Sequence, residues 1–123
     1  MASNTVVTPA QVEARLYELS KEIDDVHKYA EQVEKSYFET KAAYEISLAK
    51  TRMKYAAVSA PSGKNYTVQE REDLALIENE ELHFQMAAID ATVRSVRGNI
   101  VRINKQVDIT RSIGTSVRTS LEI

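Results

Sequence analysis

Near the C-terminus, the run Thr110-Arg111-Ser112-Ile113-Gly114-Thr115-Ser116-Val117-Arg118-Thr119-Ser120 sets two arginines among six hydroxyl side chains. Guanidinium forks match phosphate oxygens, and hydroxyls add neutral donors, so this composition suits phosphate contacts. The competing reading is a polar, frayed helix end, because Gly114 and the many Ser and Thr residues weaken a helix. Both readings stay open, and the distribution of charge is what the first draws on: residues 91–123 carry six bases against Asp108 and Glu122, whereas residues 70–81 carry six acids against Arg71 alone. The net charge of −2 therefore hides a basic tail.

Other chemistries lack their residues. Gly63-Lys64 is not a phosphate-binding loop: Val58 stands where that motif needs another Gly, Asn65 follows the Lys, and no strand precedes. His27 and His83 have no second histidine one turn away and read as surface or flanking residues beside a helical seam. The acids Glu70, Glu72, Asp73, Glu78, Glu80 and Glu81 read as an acidic helix start, which the helix dipole favours. With no cysteine there is no thiolate nucleophile and no disulfide framework. Neither an enzyme nor a cofactor is expected. Of the six tyrosines, Tyr37 and Tyr44 fall on the apolar seam described next, and Tyr55 and Tyr66 flank the loop, where they can pack its base or face a neighbouring subunit. Base stacking is the alternative role for any of them.

The elements that must position these side chains are helices. Thr8-Pro9-Ala10-Gln11 has the form of a helix start: Thr8 can cap, Pro9 suits the first helical position, and Gln11 can reach back. Apolar residues then recur in steps of four and three, at Val12, Leu16, Leu19, Ile23, Val26, Ala30, Val33 and Tyr37, and more weakly through Thr40 and Tyr44. The stretch from Ser59 to Tyr66, with Pro61, Gly63 and Asn65, is the one strong break, and Thr67-Val68-Gln69-Glu70 is a second capping box. A second seam follows at Leu82, Met86, Ile89, Val93, Val96, Ile100, Ile103, Val107, Thr110, Gly114, Val117 and Leu121, a coiled-coil pattern.

Folding the chain near Gly63 pairs residues whose numbers sum to about 126 and brings seam onto seam throughout. The acidic start of the second helix then lies beside Lys50, Arg52 and Lys54, Arg102 lies near Asp24 and Asp25, and Arg94 lies near Glu31 and Glu34. Arg111 and Arg118 face Arg15 and Thr8 and have no acid opposite. The expected fold is all-α, a long antiparallel helical hairpin (a coiled coil) that oligomerises, since two long helices bury little surface per residue. Residues 1–7 are expected to be disordered and residues 8–123 to form one domain: a helix over about 9–58, a loop over about 59–67 and a helix over about 68–120.

No apolar run approaches membrane-spanning length and no leader pattern opens the chain, so no membrane is expected and the cytoplasm is the expected location.

The order of features resembles small phage recombination mediators of the UvsY type. Lys54-Tyr55 closes a long helix, Ser62-Gly63 forms the loop, Tyr66-Thr67 and Glu70-Arg71-Glu72 make an acidic restart, and a basic helix runs from Arg94 through Arg118. The segment from Gln106 to Arg118 is also similar to the tail of many small phage helical proteins. The similarity covers roughly residues 41–118. It implies a protein that binds single-stranded DNA as a homo-oligomer and helps a RecA-like recombinase replace single-strand binding protein in the host cytoplasm. The candidate phosphate contacts it implies are Arg94, Arg97, Arg102, Lys105, Arg111 and Arg118. The alternative is a structural or adaptor coiled coil, with a role in phage assembly or host-protein binding, that touches proteins through faces such as Ala42, Ala43 and Ala49. It is motivated by the acidic net charge and by internal neutralisation of the basic residues.

Overall fold

A computed structural model of the chain describes residues 7–122. The irregular N-terminal segment expected over residues 1–7 lies outside these, except for Val7. The described residues form three helices: α1 (Pro9–Ala56), α2 (Val68–Glu78) and α3 (Glu80–Glu122). The all-α expectation holds, with long helices packing on one another.

Both helix starts follow from their sequences. The Gln11 amide N–H donates to Thr8 Oγ1 at 3.2 Å, and the Thr8 amide N–H donates to Gln11 Oε1 at 2.9 Å. At α2 the Glu70 amide donates to Thr67 Oγ1 and the Thr67 amide to Glu70 Oε1, both at 3.1 Å. Each reciprocal pair satisfies amides that the first helical turn leaves without partners. Between α1 and α2, the Ala60 amide donates to the Lys64 carbonyl at 2.8 Å and the Gly63 amide to the Ala60 carbonyl at 2.9 Å. Ser59 and Asn65 make an isolated antiparallel bridge across this loop. Gly63 has φ +81°, a conformation that any side chain would strain.

The chain divides into two compact units. The terminal unit joins Met1–Glu31 to Ser95–Ile123, and the loop unit is Gln32–Arg94. In the terminal unit α1 and α3 run antiparallel. Leu19 and Ile103 are completely enclosed there, and Gly114 lies so close to Val12 that an added Cβ would fall 2.9 Å from Val12 Cγ1. Here the two numbers sum to 126, the register expected from the loop.

The loop unit is a helical hairpin. Tyr44, Leu48 and Ala75 form its buried cluster, with Leu82 and Met86 packed against it. Every seam residue from Val12 to Tyr44 is buried or half-buried, and so is every one from Leu82 to Val117. Leu121, expected on the seam, is instead 69% exposed. It lies in the last turn of α3, where an α1 residue at the matching register would precede Pro9.

The sequence predicts one uninterrupted second helix, and the structure breaks it at Asn79. Asn79 has φ −108° and ψ 19°, outside the helical range, and its side chain is buried. Asn79 Nδ2 donates to Thr51 Oγ1 at 3.0 Å and to the Ala75 carbonyl at 2.8 Å. Asn79 Oδ1 accepts from Ser47 Oγ. Thr51 Oγ1 in turn donates to the Ser47 carbonyl at 2.8 Å. An amide at a buried seam position must find partners, and here they come from the facing helix. The first helix also ends at Ala56, two residues before the expected boundary.

Candidate nucleic-acid interface

The cations of α3 are placed by helical spacing around a fixed seam. At about 100° per residue, Arg111 and Arg118 lie on one flank of the seam, Arg102 on the other, and Lys105 points away from it. All six expected contacts are exposed: Arg94 in the loop unit, and Arg97, Arg102, Lys105, Arg111 and Arg118 in the terminal unit. The structure brings Arg111 and Arg118 together. They line one groove of about 390 Å³ with Pro9, Val12, Glu13 and Thr115. It does not bring Arg102 or Lys105 to that groove.

Ion pairing differs from the sequence expectation. Arg94 pairs with Asp90 on its own helix at 3.0 Å. Arg102 lines a groove with Asp25, yet its guanidinium donates to Asn99 Oδ1, at 3.2 Å from Nε and 2.5 Å from Nη2. Of Lys50, Arg52 and Lys54, only Lys54 meets an acid of α2, Glu78, at 3.2 Å. Exposed pairs contribute only about 0–1 kcal/mol, so matched register alone does not hold such side chains together.

The consequence for the terminal unit is a group of cations without ion pairs in a unit whose acids and bases balance. Its α1 segment carries six acids and three bases, and its α3 segment carries five bases and two acids. Even so, among the described residues Lys105 and Arg111 make no side-chain hydrogen bond or ion pair, and Arg102 and Arg118 bond only to the neutral side chains of Asn99 and Thr115. Arg111 also lines a small cleft with Asp24, without pairing to it.

The hydroxyls contribute less than their number suggests. Thr110, Thr115, Thr119 and Ser120 donate to carbonyls four residues earlier in α3, at 2.8 to 3.2 Å. These donors are spent on the helix itself. Of the donors in this segment, those of the arginines, Ser112 and Ser116 are not spent in this way.

Tyr29 is a residue that the cation pattern alone does not single out. It is exposed and lines the groove that holds Arg102, beside Gly98. An exposed ring in a groove that an arginine also lines offers a surface on which a base can stack. Its signal in the sequence is register, since Tyr29 sits opposite residues 97 and 98 when the chain is folded at Gly63. Tyr55 and Tyr66, by contrast, pack the base of the loop with ring centroids 5.2 Å apart. Tyr44 is buried against His83, with the ring centroids 5.7 Å apart.

At the loop base, Glu78 accepts from both Tyr55 and Lys54. The Tyr55 and Lys54 hydrogen bonds, in that order, hold the Glu78 carboxyl below its ordinary range. The same Glu78 hydrogen bond raises Lys54 and raises Tyr55. This cluster ties the end of α1 to the end of α2 and is structural in its geometry.

Among the described residues no three metal-binding side chains converge, and no helix is long and apolar enough to cross a membrane. Comparison with protein-family models, curated proteins and solved structures gives no match to this chain.

Proposed function

We propose that this chain is a non-enzymatic helical protein that binds single-stranded DNA as an oligomer, acting as a recombination mediator of the UvsY type. In that role it assists a RecA-like recombinase in displacing single-strand binding protein. The observation that supports it is the set of four exposed cations, Arg102, Lys105, Arg111 and Arg118, none of which has a carboxylate partner among the described residues. Unpaired cations attract a polyanion despite the acidic total charge, because the local potential follows the nearest charges, and Arg111 and Arg118 share one groove. Tyr29, which lines the same groove as Arg102, adds a stacking surface that needs no particular base.

The test is anisotropy of a fluorescent single-stranded oligonucleotide across salt. Four phosphate contacts per chain release enough counterion to weaken binding roughly 50-fold between 50 and 200 mM salt. With Arg111 and Arg118 both replaced by Ala, the same change should fall to about sevenfold, with helicity unchanged. An unchanged salt slope would remove those two arginines from the interface.

A second reading, a structural or adaptor coiled coil, is favoured by a different observation. The outer side of α1 in the loop unit exposes Phe38, Ala42, Ile46, Ala49 and Met53 in one stripe. Absence of any oligonucleotide binding at low salt would leave that reading in place.

A further inference from the structure

The loop unit is apolar on its outer sides as well as at its seam. Its core is made where Tyr44 and Leu48 of α1 meet Leu82 and Met86 of α3. At about 100° per residue, Phe38, Ile46 and Met53 lie on the opposite side of α1 from that core, and Phe84, Ala88 and Ala91 on the opposite side of α3. Phe38, Ile46, Met53 and Phe84 are each more than half exposed, as is Ile77 just before the bend. A helix with apolar residues on two sides has more to bury than one partner helix covers.

At the loop-proximal ends of the two stripes the flanking charges are opposite in sign, whereas the rest of the α1 stripe is flanked by Glu39 and Glu45 as well as Lys41. Lys50 and Arg52 stand beside the α1 stripe, and Glu80 and Glu81 beside the α3 stripe, all exposed. Among the described residues, Lys50, Arg52 and Glu80 have no side-chain partner within the chain. The first stripe runs about 22 Å from Phe38 to Met53 along α1, and the second about 16 Å from Glu80 to Ala91 along α3, with Ile77 of α2 just across the bend. Laid antiparallel with Ile46 against Phe84, they set Met53 against Ile77, Ala42 against Ala88, and Lys50 against Glu80.

We propose that the α1 outer stripe of one copy docks antiparallel on the α3 outer stripe of a second copy, apolar against apolar and Lys50 and Arg52 against Glu80 and Glu81. The chain carries both halves of this contact, so a second copy supplies the complement that an unrelated partner would have to provide. The contact joins two different faces. Each docked copy therefore still offers one open face, and assembly proceeds beyond a dimer unless the rotation closes. The face rests on the oligomeric half of the function proposed above and not on its nucleic-acid half, so it is tested without DNA.

Mass is measured by light scattering at micromolar concentration for three proteins: wild type, Lys50→Glu with Arg52→Glu, and Glu80→Lys with Glu81→Lys. The wild type should exceed a dimer. Each reversed protein, with helicity intact, should associate at least about tenfold more weakly. Mixing the two reversed proteins should restore the large species, because each now complements the other on both faces. In a second measurement Ile46→Cys and Phe84→Cys are made in separate chains, which otherwise lack cysteine. A disulfide should form on mixing them and not within either alone.

A monomeric wild type, reversed proteins of unchanged mass, a mixture that fails to reassemble, or cross-linking of Ile46→Cys with itself would each overturn the proposal. A monomer that still binds an oligonucleotide would overturn this face and leave the cation reading standing. An oligomer that disassembles and reassembles as described but ignores DNA supports the face and removes the other reading.

Discussion

Gly98 and Gly114 both lie inside α3, and replacement with Ala should stabilise at the first and not at the second. Exchange of Gly for Ala in a helix interior gains about 0.8–1 kcal/mol, from backbone entropy and helix propensity. At Gly98 an added Cβ meets nothing within 4 Å, so the gain should be realised in full. At Gly114 the added Cβ stands 2.9 Å from Val12 Cγ1 and 4.0 Å from Val12 Cβ. Val12 cannot yield easily: it is buried, and a β-branched side chain in a helix has one strongly preferred rotamer. Overpacking of this kind costs about 1–3 kcal/mol, which leaves Gly114→Ala between neutral and about 2 kcal/mol destabilising. Because the intrinsic gain is common to both, the difference between the two variants isolates the steric contact at about 1–3 kcal/mol. The assay is urea or thermal unfolding at one fixed protein concentration, since association would otherwise shift the apparent stability. At this chain length 1 kcal/mol moves Tm by about 3–6 °C, well within measurement. Adding Val12→Ala should cancel most of the Gly114→Ala penalty, giving a coupling of the same size in a double-mutant cycle. If Gly114→Ala stabilises as much as Gly98→Ala, the close approach of α3 to Val12 is wrong.

Replacing Asn79 with Ala should destabilise the loop unit by about 1–2 kcal/mol, because Ser47 loses its buried acceptor while the helix gains propensity at the bend; a more stable variant in urea unfolding would show that the polar network opposes folding. Glu78 is held below the ordinary carboxylate range by Tyr55 first and Lys54 second. A depressed folded value means stabilisation that is present above the unfolded value and lost as pH falls through the folded one, so acid unfolding of wild type should show a component below about pH 4 that is missing in Glu78→Gln. Tyr55 is raised by the same Glu78 hydrogen bond, so its contribution holds below its ordinary value and is lost as pH rises through the raised one. Absorbance titration of the phenol should therefore shift to lower pH in Glu78→Gln, and an unmoved curve would remove that bond.

Much of this architecture was legible because heptad spacing and loop position constrain each other. The steps from Val12 to Tyr44 and from Leu82 to Val117 state which residues turn inward, and Gly63 states where the register is set. Asn79 was not legible from local signals, since Ile77-Glu78-Asn79-Glu80 contains no Gly or Pro and helical charges surround it. Its bend is made by Ser47 and Thr51, 32 and 28 residues away. One signal did exist: the seam extended backwards from Leu82 passes through Asn79 and Ala75, and a polar residue there must find a partner across the register. Ion pairs were the least legible feature. Register shows that Arg102 and Asp25 share a groove, but the guanidinium turns to Asn99 because an exposed pair has too little energy to decide its rotamer.

That weakness of exposed pairing is also what leaves Lys105 and Arg111 without ion pairs among the described residues of an acidic chain. If the acids of α1 in the terminal unit closed on the bases of α3, a polyanion would have to break each pair before binding. Instead Arg15 pairs with Glu18 along its own helix at 3.2 Å, while Arg111 and Arg118 share a groove with Glu13, and Arg111 a cleft with Asp24, without pairing to either. The acids then act at a distance, where salt screens them within about 8–10 Å. A phosphate bound as proposed would meet Arg111 at a shorter distance than that and be less screened. Added salt should therefore diminish the repulsion from Glu13 and Asp24 along with the attraction from the arginines. The measured slope with salt will understate the number of phosphate contacts, so the contrast between wild type and the Arg111→Ala, Arg118→Ala variant is a sounder count than either slope alone.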